Sequence, residues 1–294
     1  MGDRYSAVNN FPLKQFNSMG IQAYADTVLI PFEASGVLEL SFDYSIKDSI
    51  ILGKGSNVIF SHERYDTPII LTDFLKKIYY QDESIISECG VSLSQLSWFA
   101  LENSIPGFEF LEDIPGSVGG GLYMNAGTYE DCIGDMVQSV MIYDYNEGRS
   151  KVLAKDELSP FWKKRDSFFQ HHPCFILQCT FRTSKSVDYE AILSKMLDLK
   201  KQRFLKQPRN FPSAGSVFKR PCINGEPKYI WQLFDAAGLR GYRIGDAQVS
   251  EKHPGFIINR GNATGKEVID LMNYCKTVVK DQFGIQIEEE WKIV

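Results

Sequence analysis

No apolar run in this sequence approaches the ~18 residues a membrane-spanning helix needs, so no membrane association is expected. The first residues, MGDRYSAVNNF, carry no apolar stretch, and no signal peptide is expected either. Histidine is scarce: His62, His171, His172 and His253 make no metal-ligand spacing. The six cysteines (Cys89, Cys132, Cys174, Cys179, Cys222 and Cys275) form no CxxC pair. Zinc sites and a disulfide framework are therefore not expected, and the six read as free thiols in a reducing cytosol. In the strand-like run CFILQC, alternation puts Cys174 and Cys179 on opposite faces. Internal repeats, low-complexity tracts and long linkers are absent. Net positive charge is lacking too: a balance of −5 argues against general nucleic-acid binding, though it says little about a small anionic ligand. What remains is an ordinary globular composition, 44% hydrophobic and 23% charged, long enough at 294 residues for two domains.

Glycine, by contrast, is concentrated. The stretch Ile105–Glu130 (IPGFEFLEDIPGSVGGGLYMNAGTYE) is crowded with glycine and proline and then runs into Asn125-Ala126-Gly127. Glycine lets the main chain approach a ligand closely, and successive exposed N–H groups make a concave anion site. A phosphate-bearing cofactor on this loop is one reading and a tight connector is the other. A second glycine element, Gly53-Lys54-Gly55-Ser56-Asn57, lies between Ile50-Ile51-Leu52 and Val58-Ile59-Phe60. It has neither the GxxxxGK[ST] spacing nor the three-glycine Rossmann pattern. It can still donate hydrogen bonds to a pyrophosphate, or serve as a plain hairpin turn.

Periodicity predicts further elements along the chain. Strands are expected at Thr67–Leu71, Ser84–Cys89, Met136–Tyr145 and Cys174–Thr183, and a helix over Ser92–Glu102 with capping-box spacing between Ser92 and Gln95. A cationic knot flanked by aromatics, FWKKRDSFF, spans 161–169. Asp188–Lys206 reads as a helix with Ile192, Leu193, Met196 and Leu197 on one side and with Arg203 and Lys206 sharing a face. Pro212–Pro221 is expected to turn into a short strand, and Tyr229–Ala237 to be a helix stopped by Gly238. The last helix is capped by Thr264 and Glu267, carries the stripe Val268, Leu271, Met272, Cys275, Val279 and Phe283, and ends at Gly284. Ile285–Val294 alternates as a strand, with Ile285, Ile287, Trp291 and Ile293 toward a core and Glu288 and Glu290 pointing away.

Three patches stand together: LGKGSN, then IPGFEFLEDIPGSVGG with MNAG, then PSAGSVFKRP followed by AGLRGYRIGDAQVSEKHPGFIINRGNATG. In this order, and with the C-terminal FGIQIEEEW, the sequence resembles the UDP-N-acetylenolpyruvoylglucosamine reductases, the MurB family, in their shorter (type II) form. The resemblance implies an α+β fold: a vanillyl-alcohol-oxidase-type FAD-binding region of two α+β subdomains (about 1–71 and 72–184) and a C-terminal α+β substrate domain, 185–294, with the last strand returning to the FAD region. It implies FAD as cofactor, NADPH as co-substrate, UDP-GlcNAc-enolpyruvate as the small-molecule substrate, and a cytoplasmic location. The sequence does not set the oligomeric state; a monomer is the expectation.

By the same resemblance Ser216 is the general acid, Arg165 faces the substrate's carboxylate or enolate, and Glu290 is the catalytic carboxyl, with Glu288 as second choice. Arg203 and Lys206 match cations that hold the UDP moiety. Gly53, Gly55, Ser56, Asn57, Pro115, Gly116, Ser117, Val118 and Asn125 match the FAD contacts. Two other readings remain open: a flavoenzyme with a different enoyl or nucleotide-sugar substrate, and a non-catalytic flavin-binding protein.

Overall fold

The computed structural model describes residues 4–128, 131–184, 187–223 and 225–294. It is mixed α and β, in two compact units that share the chain discontinuously. One comprises Met1–Asn10, Thr27–Lys54 and Thr67–Arg203; the other comprises Phe11–Asp26, Gly55–Asp66 and Phe204–Val294.

The first unit contains a parallel strand set. Ile69–Leu71 pairs with Val28 and Leu29 on one side and with Ile50–Leu52 on the other. Its second sheet is antiparallel, in the order Arg149–Ala154, Val137–Asp144, Cys174–Arg182, Ser84–Glu88, Ile78–Gln81. The helix Leu93–Glu102 starts as its sequence predicts. The Ser92 hydroxyl accepts from Gln95 N–H, and the Gln95 side chain accepts from Ser92 N–H. One apolar core, including Leu29, Ile70, Ile85, Leu96, Leu122, Ile142 and Phe175, joins both strand sets to this helix.

Two local expectations fail here for identifiable reasons. The register of Cys174–Arg182 slips between Ile176 and Gln178, so Cys174 opposes Asp144 and Cys179 opposes Val140. Asp144 and Val140 are an even number apart on their strand, so the bulge returns both cysteines to one face and overrides the simple alternation. In the helix Tyr189–Lys206, Ile192 and Met196 are buried but Leu197 is 50% exposed. The covered stripe is narrower than the apolar residues suggest.

In the second unit, Arg243–Ile244, Ala247–Val249 and Ile257–Asn259 form an antiparallel sheet. The helix Gly265–Phe283 packs on it. Thr264 and Glu267 complete the capping box, and Gly284 ends the helix at φ 69°. Val268 through Val279 of the stripe are buried, whereas Phe283, in the last turn, is 38% exposed. The expected strand over 285–294 is shorter: Lys292–Ile293 pairs with Val58–Ile59, and Glu289 forms an isolated bridge with Phe218. Ile287 and Trp291 are buried as alternation requires, but Ile293 is 40% exposed. Pro212–Pro221 likewise shows only the isolated bridges of Ser216 and Phe218. Among the described residues no helix is long and apolar enough to cross a membrane. All six cysteines are free, and burial pushes the Cys275 thiol up to about 12.

Candidate active site

The two glycine elements meet in the first unit. A Cβ added to Gly53 would lie 2.5 Å from the Ser117 hydroxyl, so the turn after Ile50–Leu52 needs glycine to sit against the second loop. Lys54 pairs with Asp73 at 3.0 Å. Ser117 is buried and caps the short helix Val118–Tyr123 by accepting from Gly120 N–H. Pro115 is exposed, and the Gly116 carbonyl accepts from Leu93 N–H.

Much of this loop's donor capacity is already used. Val118 N–H donates to Val91, Gly119 N–H to Cys89, and Gly121 N–H to Ser117, all on backbone carbonyls at 2.7–2.8 Å. An anion cradle made of all its N–H groups is therefore not what the loop presents. The segment before it is anchored by buried carboxylates. Glu109 accepts from Gly107 N–H and pairs with Lys195; Glu112 accepts from Ser94 and from Lys200 at 2.8 Å. Burial pushes the Glu112 carboxyl up, but Lys200, Ser94 and Trp98 outweigh it and hold the group below its usual range. Arg203 donates to the carbonyls of Phe110 and Glu112, both at 3.3 Å.

Arg165 lies in a tight turn whose ends, Lys163 and Asp166, exchange N–H···O=C bonds of 3.3 and 3.1 Å. Its φ is +59°, unusual for a residue with a Cβ. Asn125 is 3% exposed and joins this turn to the glycine loop: its amide donates to the Lys163 carbonyl at 2.8 Å, and its Oδ1 accepts from Gly134 N–H. Ser167 and Gln170 also hold the turn, a role that the sequence reading did not give them. The signal for Ser167 was its place in the Arg165-Asp166-Ser167 segment.

In the second unit, Gly55 has φ +57°, and a Cβ there would sit 2.1 Å from the Phe16 carbonyl oxygen. Ser56 and Asn57 follow, both half-buried. The Asn57 amide donates to the Glu290 carbonyl at 3.0 Å, and the Asn57 carbonyl accepts from Lys292 N–H. Glu290 N–H donates to Val217 O at 2.8 Å, and Lys219 N–H donates to Glu288 O. The segment with Ser216 thus lies directly beside the one with Glu290. Ser216 is exposed after Gly215, which has φ +81° and open space around its α-carbon. The half-buried Glu290 contrasts with Glu288, whose side chain is 79% exposed and pairs with Lys219. Glu289 pairs with Lys276, which draws its carboxyl down. Trp291 donates its indole N–H to Ala214 O at 2.8 Å. Lys206 is exposed at the end of its helix.

The chain matches two known domain types. Residues 207–294 match the C-terminal domain of UDP-N-acetylenolpyruvoylglucosamine reductase, and residues 43–153 match an FAD binding domain. A UDP-N-acetylenolpyruvoylglucosamine reductase of Petrotoga mobilis is 37% identical over 95% of this chain and 93% of its own. One of Clostridium novyi is 36% identical over 99% of this chain and 93% of its own. The crystal structure of the Thermus caldophilus enzyme, 27% identical, covers 99% of this chain and 98% of its own with a TM-score of 0.78. With the glycine turn, the Ser216 loop and the Glu290 segment all inside these matches, the chain belongs to the UDP-N-acetylenolpyruvoylglucosamine reductase family.

Proposed function

We propose that this protein is the flavin-dependent reductase that converts UDP-N-acetylglucosamine enolpyruvate to UDP-N-acetylmuramate with NADPH, in the cytoplasm, as a step of peptidoglycan precursor synthesis. The observation that carries the reading is the hydrogen bond from Glu290 N–H to Val217 O, which sets a hydroxyl donor and a half-buried carboxyl on adjacent segments. The crowding of Gly53 against Ser117 supports FAD contacts from Gly53, Pro115, Gly116, Ser117 and Val118, and the resemblance adds Gly55, Ser56 and Asn57. FAD held there would supply the hydride, drawn from NADPH, for the enolpyruvyl double bond.

The protein's own groups manage the charge and the proton. Arg165 is permanently cationic and stabilises the negative charge that builds on the substrate's enolate and carboxylate oxygens. Its left-handed backbone is the kind of strain found where a side chain must be aimed. Ser216 delivers the proton to C2, a strongly basic carbon for which a hydroxyl is acid enough. Glu290 works protonated, as a hydrogen-bond donor. Lys206, exposed, takes the diphosphate as a point charge, and Arg203 flanks it while also holding the loop carbonyls. The functional division follows FAD region 1–184 and substrate domain 185–294.

The test is a visible spectrum of the purified protein, followed anaerobically. Flavin bands should bleach with NADPH and return with UDP-N-acetylglucosamine enolpyruvate. A protein that bleaches but is not reoxidised acts on another acceptor, and one that cannot be loaded with FAD is not a flavoenzyme. Ser216→Ala should keep fast bleaching and slow reoxidation; equal rates in both half-reactions would remove Ser216 as the acid.

A further inference from the structure

We propose that Asn125 is a positioning residue for Arg165 rather than a contact of the cofactor. The inference rests on the reading of Arg165 given above. Each end of the Asn125 amide has a partner in the protein: Nδ2 donates to the Lys163 carbonyl at 2.8 Å and Oδ1 accepts from Gly134 N–H at 3.1 Å. The side chain is 3% exposed, and its backbone is itself left-handed at φ +43°. Lys163 opens the turn that carries Arg165 at φ +59°. A left-handed arginine persists only where its surroundings fix it.

Those surroundings are visible on both sides of the turn. Asn125 holds the carbonyl at its start. Gln170 Nε2 donates to the Arg165 carbonyl at 3.1 Å and to the Tyr123 carbonyl at 2.9 Å. Ser167 Oγ donates to the same Tyr123 carbonyl at 2.7 Å. The turn is thus tied at both ends to residues 123–125, where the glycine-rich loop ends. The backbone from which the guanidinium projects is set by that loop, and Asn125 is the tie at the turn's entrance.

The experiment compares Asn125→Asp, Gln170→Met, Arg165→Ala and the Asn125→Asp/Arg165→Ala double variant as FAD-loaded proteins. Asn125→Asp keeps an acceptor for Gly134 and removes the donor to Lys163. FAD content and the rate of bleaching by NADPH should match the parent. Reoxidation by UDP-N-acetylglucosamine enolpyruvate should slow by about 100-fold, the scale of a misplaced catalytic group. Calorimetric binding of that substrate to the oxidised protein should weaken in parallel. In the Arg165→Ala background Asn125→Asp should add no more than about 2-fold, because coupled residues are not additive. Gln170→Met, which loosens the turn from its other side without placing a carboxyl in the interior, should reproduce the selective loss if Asn125→Asp does not fold. Loss of FAD with Asn125→Asp, with Gln170→Met behaving as parent, would make Asn125 a cofactor contact and overturn the proposal. Additive losses would overturn it as well. An Arg165→Ala protein with parental turnover would bring down the Arg165 reading, and this proposal with it; impaired Arg165→Ala beside unimpaired Asn125→Asp and Gln170→Met would bring down this proposal alone.

Discussion

At Gly55, in the turn Gly53–Asn57, glycine is demanded by neighbouring main chain, whereas in the loop around 105–121 the close neighbours are largely side chains. A Cβ on Gly55 would meet the Phe16 carbonyl oxygen at 2.1 Å and the Asn17 α-carbon at 2.8 Å. A Cβ on Gly121 would meet the ends of Leu93 and Ile133 at 3.0 and 3.4 Å, and one on Gly120 only the Ser117 hydroxyl at 3.5 Å. The second loop draws its order from elsewhere: a capping serine and two buried carboxylates anchored by lysines of the helix Tyr189–Lys206. Two segments that look alike in composition are therefore held by different forces. At Gly55 the fit is steric, and neither pH nor salt changes it. The second loop depends on charge.

Gly55→Ala should give the largest effect, because it combines a disfavoured left-handed φ with a backbone collision. A loss of at least ~2 kcal/mol, read as a fall in the urea midpoint that is the same at pH 4 and pH 8, would establish the steric account. A small loss would mean that Phe16 and Asn17 yield, and that the contrast between the loops is weaker than the geometry suggests.

Lys200→Met should come next. It removes the ammonium from a nearly buried carboxylate, but Lys200 is half-exposed and screened, so the cost is about 1 kcal/mol near neutrality. Its sign with pH is distinctive. The folded Glu112 carboxyl lies below its usual range. Its stabilisation is present above the unfolded carboxylate pKa and is lost as pH falls through the folded one. The parent and Lys200→Met midpoints should therefore converge on acidification, and a gap that stayed constant would show that charge is not what the lysine contributes. Glu88 is the counter-case. Burial raises its carboxyl, so stability on its account declines as pH rises from the unfolded value through the folded one, and Glu88→Gln should remove that decline.

The smallest effect is expected at Gly120, and with the opposite sign. This residue lies within the helix Val118–Tyr123 with room for a methyl group, so Gly120→Ala should stabilise the FAD-free protein by ~0.5–1 kcal/mol. A stabilised protein that retains FAD poorly would show that this glycine is kept for a ligand's approach.

Elements specified by their own residues were legible in the sequence. Ser92 with Gln95, and Thr264 with Glu267 and Gly284, carry complete start or stop signals, and the helices begin and end where those signals stand. What alternation could not show was set by partners distant in sequence. Residues 285–294 have the pattern of a long strand, but their partners at Phe218 and Val58–Ile59 are short, and pairing extends no further than they do. The bulge after Ile176 has no glycine or proline to announce it. The candidate site divides the same way. Ser216, Glu290 and Arg165 were picked out by motif, and Ser216 and Glu290 sit on paired segments. Asn57 reads as a ligand contact because its amide can donate, and Asn125 by the family resemblance. The structure gives those donors to the Glu290 and Lys163 carbonyls, which lie 233 and 38 residues away in sequence.

Trp291 offers an optical handle on the loop of the proposed acid. Of four tryptophans, Trp98 and Trp231 are more than a third exposed, while Trp291 is 3% exposed with its indole on the Ala214 carbonyl, two residues ahead of Ser216. Its emission belongs at the short-wavelength end of the protein's fluorescence. Any displacement of the loop that loosens the indole from Ala214 would move that emission to the red, so the movement of the proposed acid can be timed without a label.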